Sequence, residues 1–266
     1  MAAPSREWTF PIVRLLATEL DMCQIVFDMT VRVPRPRRSV RLATGRRRPR
    51  RVGRPPARAG TVRSRTEILD AALEAFGAVG YEAMSVRELT RRLGVSHNLV
   101  HHYFRSKDVL WRAAVDHAFG TVSAQLAEAF QGTPAHGDVL ASLRQAMVIF
   151  LTVTARFPAN GHIIVREGAL GGPRLDYLFT HYVAPNLEPW RVLIGQAQRE
   201  GRIRPDIDIR TLFFLLTDGG AGPYTSQALA KRIGGPDPLR PEAIRAHAEL
   251  VADLLLRGIA TERGAQ

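Results

Sequence analysis

The chain has 266 residues, 45% of them apolar, with 37 Lys and Arg against 25 Asp and Glu and a formal net charge of +12. That apolar content excludes disorder over the whole length; the single cysteine, Cys23, excludes an internal disulfide, a cysteine-based zinc cluster and an iron–sulfur site; and no apolar run approaches the roughly 18–20 residues of a membrane span. The charge is uneven, with 14 basic and 4 acidic residues in 1–60, 8 and 7 in 61–118, and 15 and 14 in 119–266, so a near-neutral body carries a cationic arm, the asymmetry of a protein that meets nucleic acid or another anionic surface.

Residues 8–31 form a weakly apolar patch, but Glu7, Glu19 and Asp21 interrupt the stretch that a secretory signal would need. The expectation is a cytoplasmic protein in a reducing compartment with no membrane partner. Two readings of the patch stay open, a short helix or a leader preceding a true start at Met29. Residues 32–60 are dominated by Arg, Pro and Gly and have almost nothing to bury, so 1–60 is expected to be a disordered basic extension. From Arg65, Ile68, Leu69, Ala72, Leu73, Phe76 and Val79 recur at helical spacing, and Gly80 is placed to stop that helix. Ser85, with Glu88 three residues on, predicts a capping box opening a second helix whose buried face is Val86, Leu89 and Leu93. Gly94 ends it, Ser96 caps a third helix, and Ser106 caps a fourth that runs to about 131. Further helices are expected over 138–156, 160–170, 173–184, 186–201, 207–231 and 241–260, separated by Gly or Pro. No segment alternates with period two, so the fold class is all-α.

Residues 85–110 read SVRELTRRLGVSHNLVHHYFRSKDVL. Two short helices meet at Gly94 and Val95, where glycine supplies the positive φ of a sharp corner. Such a corner can offer the second helix to a DNA major groove, its first residues Ser96, His97, Asn98 and Leu99 reaching furthest, or it can be a plain helical hairpin. The order Ser85-Val86-Arg87-Glu88-Leu89, Leu93-Gly94-Val95-Ser96 and Tyr103-Phe104-Arg105-Ser106-Lys107-Asp108, closing on Leu110, resembles the DNA-binding domain of the TetR (tetracycline repressor) family of bacterial transcription regulators over about 62–112. The resemblance implies that Ser85 bonds a phosphate, that Ser96 caps the recognition helix, that His97, Asn98 and Leu99 face bases or the groove wall, and that Lys107 neutralises a phosphate. His101 stands where the family usually has an aromatic residue, mostly Tyr, that bonds a phosphate; it can still donate a hydrogen bond. Tyr103 stands where His or Tyr is common. His97 and His101 have the i, i+4 spacing of a metal pair, but no carboxylate or thiol on the same turns completes a site, so no metal is expected. In the arm, Arg54 centres a Gly-Arg-Pro that resembles an AT-hook, with Val52 in place of the usual Arg; minor-groove insertion and a solvated basic tail both remain open.

In 119–266, isolated polar residues stand among aliphatic and aromatic ones. Arg166, Glu167, Tyr177, His181 and Asp218 are the candidate polar groups of a small-molecule site, with a structural ion pair as the plain alternative for Arg166 and Glu167. Stripes over Leu212 to Leu229 and over Ile244, Val251, Leu254, Leu255 and Ile259 suit dimerisation or intrachain packing. No nucleophile elbow, phosphate loop or H-E-x-x-H motif is present, so no catalytic residue and no cofactor is expected. The organisation expected is a basic extension (1–60), a three-helix helix-turn-helix DNA-binding domain (61–107) and a helical effector-binding and dimerisation domain (108–266). The expected function is a homodimeric transcription regulator, a repressor released from a pseudo-palindromic double-stranded operator by an unknown small molecule. A sequence-tolerant architectural DNA-binding protein and, last, a helical enzyme are the alternatives.

Overall fold

The computed structural model describes residues 64–131 and 137–261; the basic arm, Arg54 and the expected break at Gly132 and Pro134 lie outside these. The described residues are helical, the one extended contact being an isolated antiparallel bridge between Ile203 and Ala260. In chain order the helices are α1 (Arg65–Ala83), α2 (Val86–Leu93), α3 (His97–Phe104), α4 (Lys107–Gln131), α5 (Val139–Thr154), α6 (Pro158–Leu170), α7 (Pro173–Leu178), α8 (Ala184–Arg199), α9 (Ile209–Phe214), α10 (Gly222–Thr225), α11 (Gln227–Ile233) and α12 (Pro241–Ile259). Two π-helical turns, Phe179–Val183 and Leu215–Gly220, join α7 to α8 and extend α9.

Local chemistry accounts for the first helices. Ser64 and Glu67 close a reciprocal capping box at the start of α1. Gly80, at φ +83°, breaks α1 in its last turn, where only glycine takes that backbone without strain. Ser85 accepts from the Glu88 amide at 3.3 Å, but the return bond expected from Glu88 is replaced by a bidentate contact to Arg91 at 2.6 and 2.9 Å. A two-bond fork between a guanidinium and a carboxylate replaces a single bond from a backbone amide. Gly94 takes φ +68° and turns the chain into α3, which Ser96 caps through the Leu99 amide.

One apolar core joins Ile68, Leu73 and Phe76 of α1 to Leu89, Val100 and Phe104, and continues through Leu110, Trp111 and Val115 of α4 to Ile163 of α6 and Leu178. The expected boundary at 107/108 therefore falls inside a continuous core, because α4 serves both halves. A second core gathers α5, α8, α9 and α12 around Leu143, Met147, Leu151, Leu193 and Leu212. The helix expected over 207–231 is instead broken into α9, a π turn, α10 and α11, with Gly219, Gly220, Gly222 and Pro223 in the broken stretch. The stripe on α12 divides: Ile259 is buried and Ile244, Val251 and Leu255 pack on the second core, whereas Leu254 stays exposed with Leu250. Phe214, Leu215 and Leu229 are exposed as well. Among the described residues no single helix is long and apolar enough to cross a membrane.

Candidate functional site

The helix-turn-helix presents one face outward. Val100 and Phe104 anchor α3 in the core, which leaves Ser96, His97, Asn98, His101, His102 and Tyr103 exposed on the other side. Leu99 is half-buried and packs on the domain core, so its contribution is to hold α3 rather than to reach outward. The His97 and His101 rings stack with centroids 6.4 Å apart. Among the described residues no three His, Cys, Asp or Glu side chains are grouped to hold a metal ion. Ser85 is exposed at the mouth of α2, and Arg87, Arg91 and Arg92 add cationic groups along that helix.

Lys107 has a more constrained place than the sequence suggests. Its Nζ donates to the Glu82 carbonyl at 3.0 Å and lies 4.7 Å from the Tyr81 ring centroid. Arg174 of α7 sits 4.1 Å from that same ring and reaches the Glu167 carboxylate at 3.1 Å. The segment just before α2 is thereby joined to the start of α4 and to α7.

The body contains a partly open cavity of about 280 Å³. Its walls come from the second half of α4, the end of α5, the start of α6 and α8, and the α9 region, with Phe119, Phe150, Phe157, Trp190 and Tyr224 among the aromatic faces. Both π turns border it. Pro185 follows the first, and having no amide hydrogen it cannot bond back along the helix; Asn186 Nδ2 donates to the Tyr182 carbonyl at 2.7 Å. The locally wider turn sets His181, Tyr182 and Val183 against the cavity.

Of the five residues expected at a small-molecule site, His181 and Asp218 line this cavity and Arg166, Glu167 and Tyr177 do not. Arg166 crosses to α1, where its Nη2 donates to the Ala78 carbonyl at 3.1 Å beside Gly80. Glu167 is 1% exposed and paired with Arg174. Tyr177 donates to Asp116 Oδ1 at 2.7 Å and packs edge-on against Trp111. All three point from α6 and α7 towards the first core because Ile163 and Leu178 on those helices belong to it. The polar lining not singled out by sequence includes Ser123, Thr154, Asn160, Asn186 and Thr225. Asn160, an amide in the apolar turn after Pro158, had a legible signal; the small hydroxyls had none. Tyr182 lines the cavity and donates to the same Asp116 oxygen as Tyr177, at 2.7 Å. Burial and then the Asp116 carboxylate push both phenols up, Tyr177 to about 12.

An exposed α3 behind a glycine corner is a helix-turn-helix, carried here on a helical body with a cavity. Residues 68–114 match the family model described as bacterial regulatory proteins, tetR family. The transcriptional regulator BetI of Escherichia coli is 39% identical over 51 residues, 19% of this chain and 26% of BetI, so the chain spans about a quarter of the length of the curated relatives it matches. In structure, the ketosteroid transcriptional regulator KstR2 of Mycobacterium tuberculosis superposes with TM-score 0.58 at 22% identity, over 77% of this chain and 99% of that one. FadR of Bacillus subtilis, determined in complex with stearoyl-CoA, does so with TM-score 0.51 at 18% identity over 72% and 97%. The match is to the DNA-binding domain of the tetR family, over residues 68–114.

Proposed function

We propose that this chain is a homodimeric transcription regulator, a repressor that a small molecule releases from a pseudo-palindromic operator. The observation that carries the reading is the double role of α6. Its start lines the cavity through Pro158, Asn160, Gly161 and Ile164, and Ile163, His162 and Arg166 press on α1 at the first core, Gly77 and Gly80. A ligand that alters the packing of α6 alters the seat of the helix-turn-helix. The ligand shifts the equilibrium only by its differential affinity for the two arrangements.

On DNA, Ser96, His97 and Asn98 meet base edges, while Ser85, His101, Tyr103 and the spare donors of Lys107 meet phosphates. Arg54 and the arm add sequence-tolerant affinity or minor-groove contact. Dimerisation uses the outer faces of the α9 region and α12, where Phe214, Leu215, Leu250 and Leu254 are exposed; a two-fold dimer matches two half-sites. The test is footprinting of the full chain on its own upstream region with and without candidate ligands. Protection of one palindrome, lost on ligand addition, is expected; uniform coating of the DNA favours the architectural alternative and overturns the reading.

A further inference from the structure

The size and lining of the cavity restrict what it can hold. Its volume of about 280 Å³ lies just below the roughly 300–1,000 Å³ typical of small-molecule sites. No Arg or Lys is among its lining residues, and the single acidic one, Asp218, is exposed to solvent, as is His181. A charged group carried inside would find no formal counter-charge, and an unpaired buried charge is strongly disfavoured. One polar group inside is itself unfinished. Asn160 is 8% exposed, lines the cavity, and its Nδ2 has no hydrogen-bond partner among the described residues. Buried amide donors are normally satisfied; this one has almost no accessible surface as it stands, so a ligand oxygen reaches it when the side chain turns towards the cavity.

We propose that the ligand is a neutral, largely apolar molecule carrying a carbonyl, ether or hydroxyl oxygen that accepts from Asn160. The aromatic walls hold the apolar body, and Asn160 fixes which end enters. A free acid and a phosphate ester are each discriminated against by the absence of an interior counter-charge; a quaternary ammonium, which aromatic faces can also attract, is told apart from the neutral class by the titration below. This rests on the reading of the cavity as the effector site, and adds the chemical class of the effector and the residue that selects it.

The test is calorimetric titration of the full chain with three probes of matched chain length: 2-decanone, decanoate and decyltrimethylammonium. At neutral pH 2-decanone is expected to bind at least tenfold tighter than either ion. Asn160→Leu is expected to weaken 2-decanone about tenfold and to leave the ions unchanged. If that variant fails to fold, Asn160→Ala, which removes the donor without adding bulk or charge, serves the same measurement. Ala127→Phe, which fills the cavity from the α4 wall, separates the ligand class from the cavity reading beneath it. Tighter binding of either ion, abolished by Ala127→Phe, overturns the ligand class and leaves the cavity reading standing. Binding of 2-decanone that survives Ala127→Phe, or no binding by any probe, overturns both.

Discussion

Tyr182 donates its phenol to Asp116 Oδ1 at 2.7 Å, and this bond ties the cavity wall to α4, the helix that starts at Lys107 and closes the helix-turn-helix core. The same oxygen accepts from Tyr177 at 2.7 Å. Asp116→Asn offers a weaker acceptor to both phenols, and a loss of about 1–2 kcal/mol in denaturant unfolding is expected. Tyr182→Phe, which removes one bond only, should cost about 1 kcal/mol. On the proposed mechanism it also changes the ligand concentration that releases operator more than the operator affinity itself, as a gel-shift titration would read.

The tyrosine pair also sets a pH signature. The folded-state Tyr177 is pushed up to about 12 from 10.0, by burial first and the Asp116 hydrogen bond second, and Tyr182 is raised by the same two causes. A phenol whose folded pKa is raised contributes fully below pH 10, and that contribution is lost as pH climbs towards the folded value. Stability should therefore fall between pH 10 and about 12. The Tyr177→Phe/Tyr182→Phe double variant should lose part of that pH slope, measured by chemical unfolding at fixed pH values.

Glu167 is almost fully buried, and Arg174 is its partner. Arg174→Met strands that carboxylate and should cost about 3 kcal/mol, whereas Glu167→Gln, which removes the charge itself, should cost less. Equal costs for the two variants would show that packing, not charge pairing, dominates there.

Gly80 combines φ +83° with a tight approach, since a Cβ there would lie 2.8 Å from Arg166 Nη1. Gly80→Ala should destabilise by about 1–2 kcal/mol. Adding Arg166→Ala should recover the steric part and leave the backbone part, which a double-mutant cycle in thermal unfolding separates.

For DNA, Asn98→Ala should alter base preference at one operator position, while Lys107→Ala should weaken binding evenly across sequences. Because Lys107 also bonds the Glu82 carbonyl, its loss should lower stability by about 1 kcal/mol. Removing residues 1–60 should make binding less sensitive to salt, the log–log slope falling by about 0.9 for every phosphate that the arm neutralises, with the palindrome preference kept.

Much of the N-terminal domain was legible in the order of residues because its determinants are local. Ser85, Ser96 and Ser106 each sit immediately before a helix, and each accepts from an amide three residues on. Glycines at 80 and 94 stand where the chain takes positive φ. Helix periodicity likewise located most of α4 to α8 and α12 to within a few residues. Less was legible where partners are distant. Arg166, Glu167 and Tyr177 have the composition of pocket residues, yet each turns to a partner supplied by another segment: Ala78, Arg174 and Asp116.

The sequence by itself determined an all-α fold class, a glycine-cornered helix-turn-helix with His97 and Asn98 at the head of its second helix, and a charge excess almost all within 1–60. Those features depend on spacing, capping and composition, which act over a few residues. Only the tertiary structure decided which polar residues surround the cavity, that α4 and α6 each join the first core to the cavity wall, and that Lys107 is pinned against Tyr81. The reason is physical: a helix exposes polar groups on several faces, and which face closes on which neighbour is settled by the packing of apolar side chains far apart in the chain.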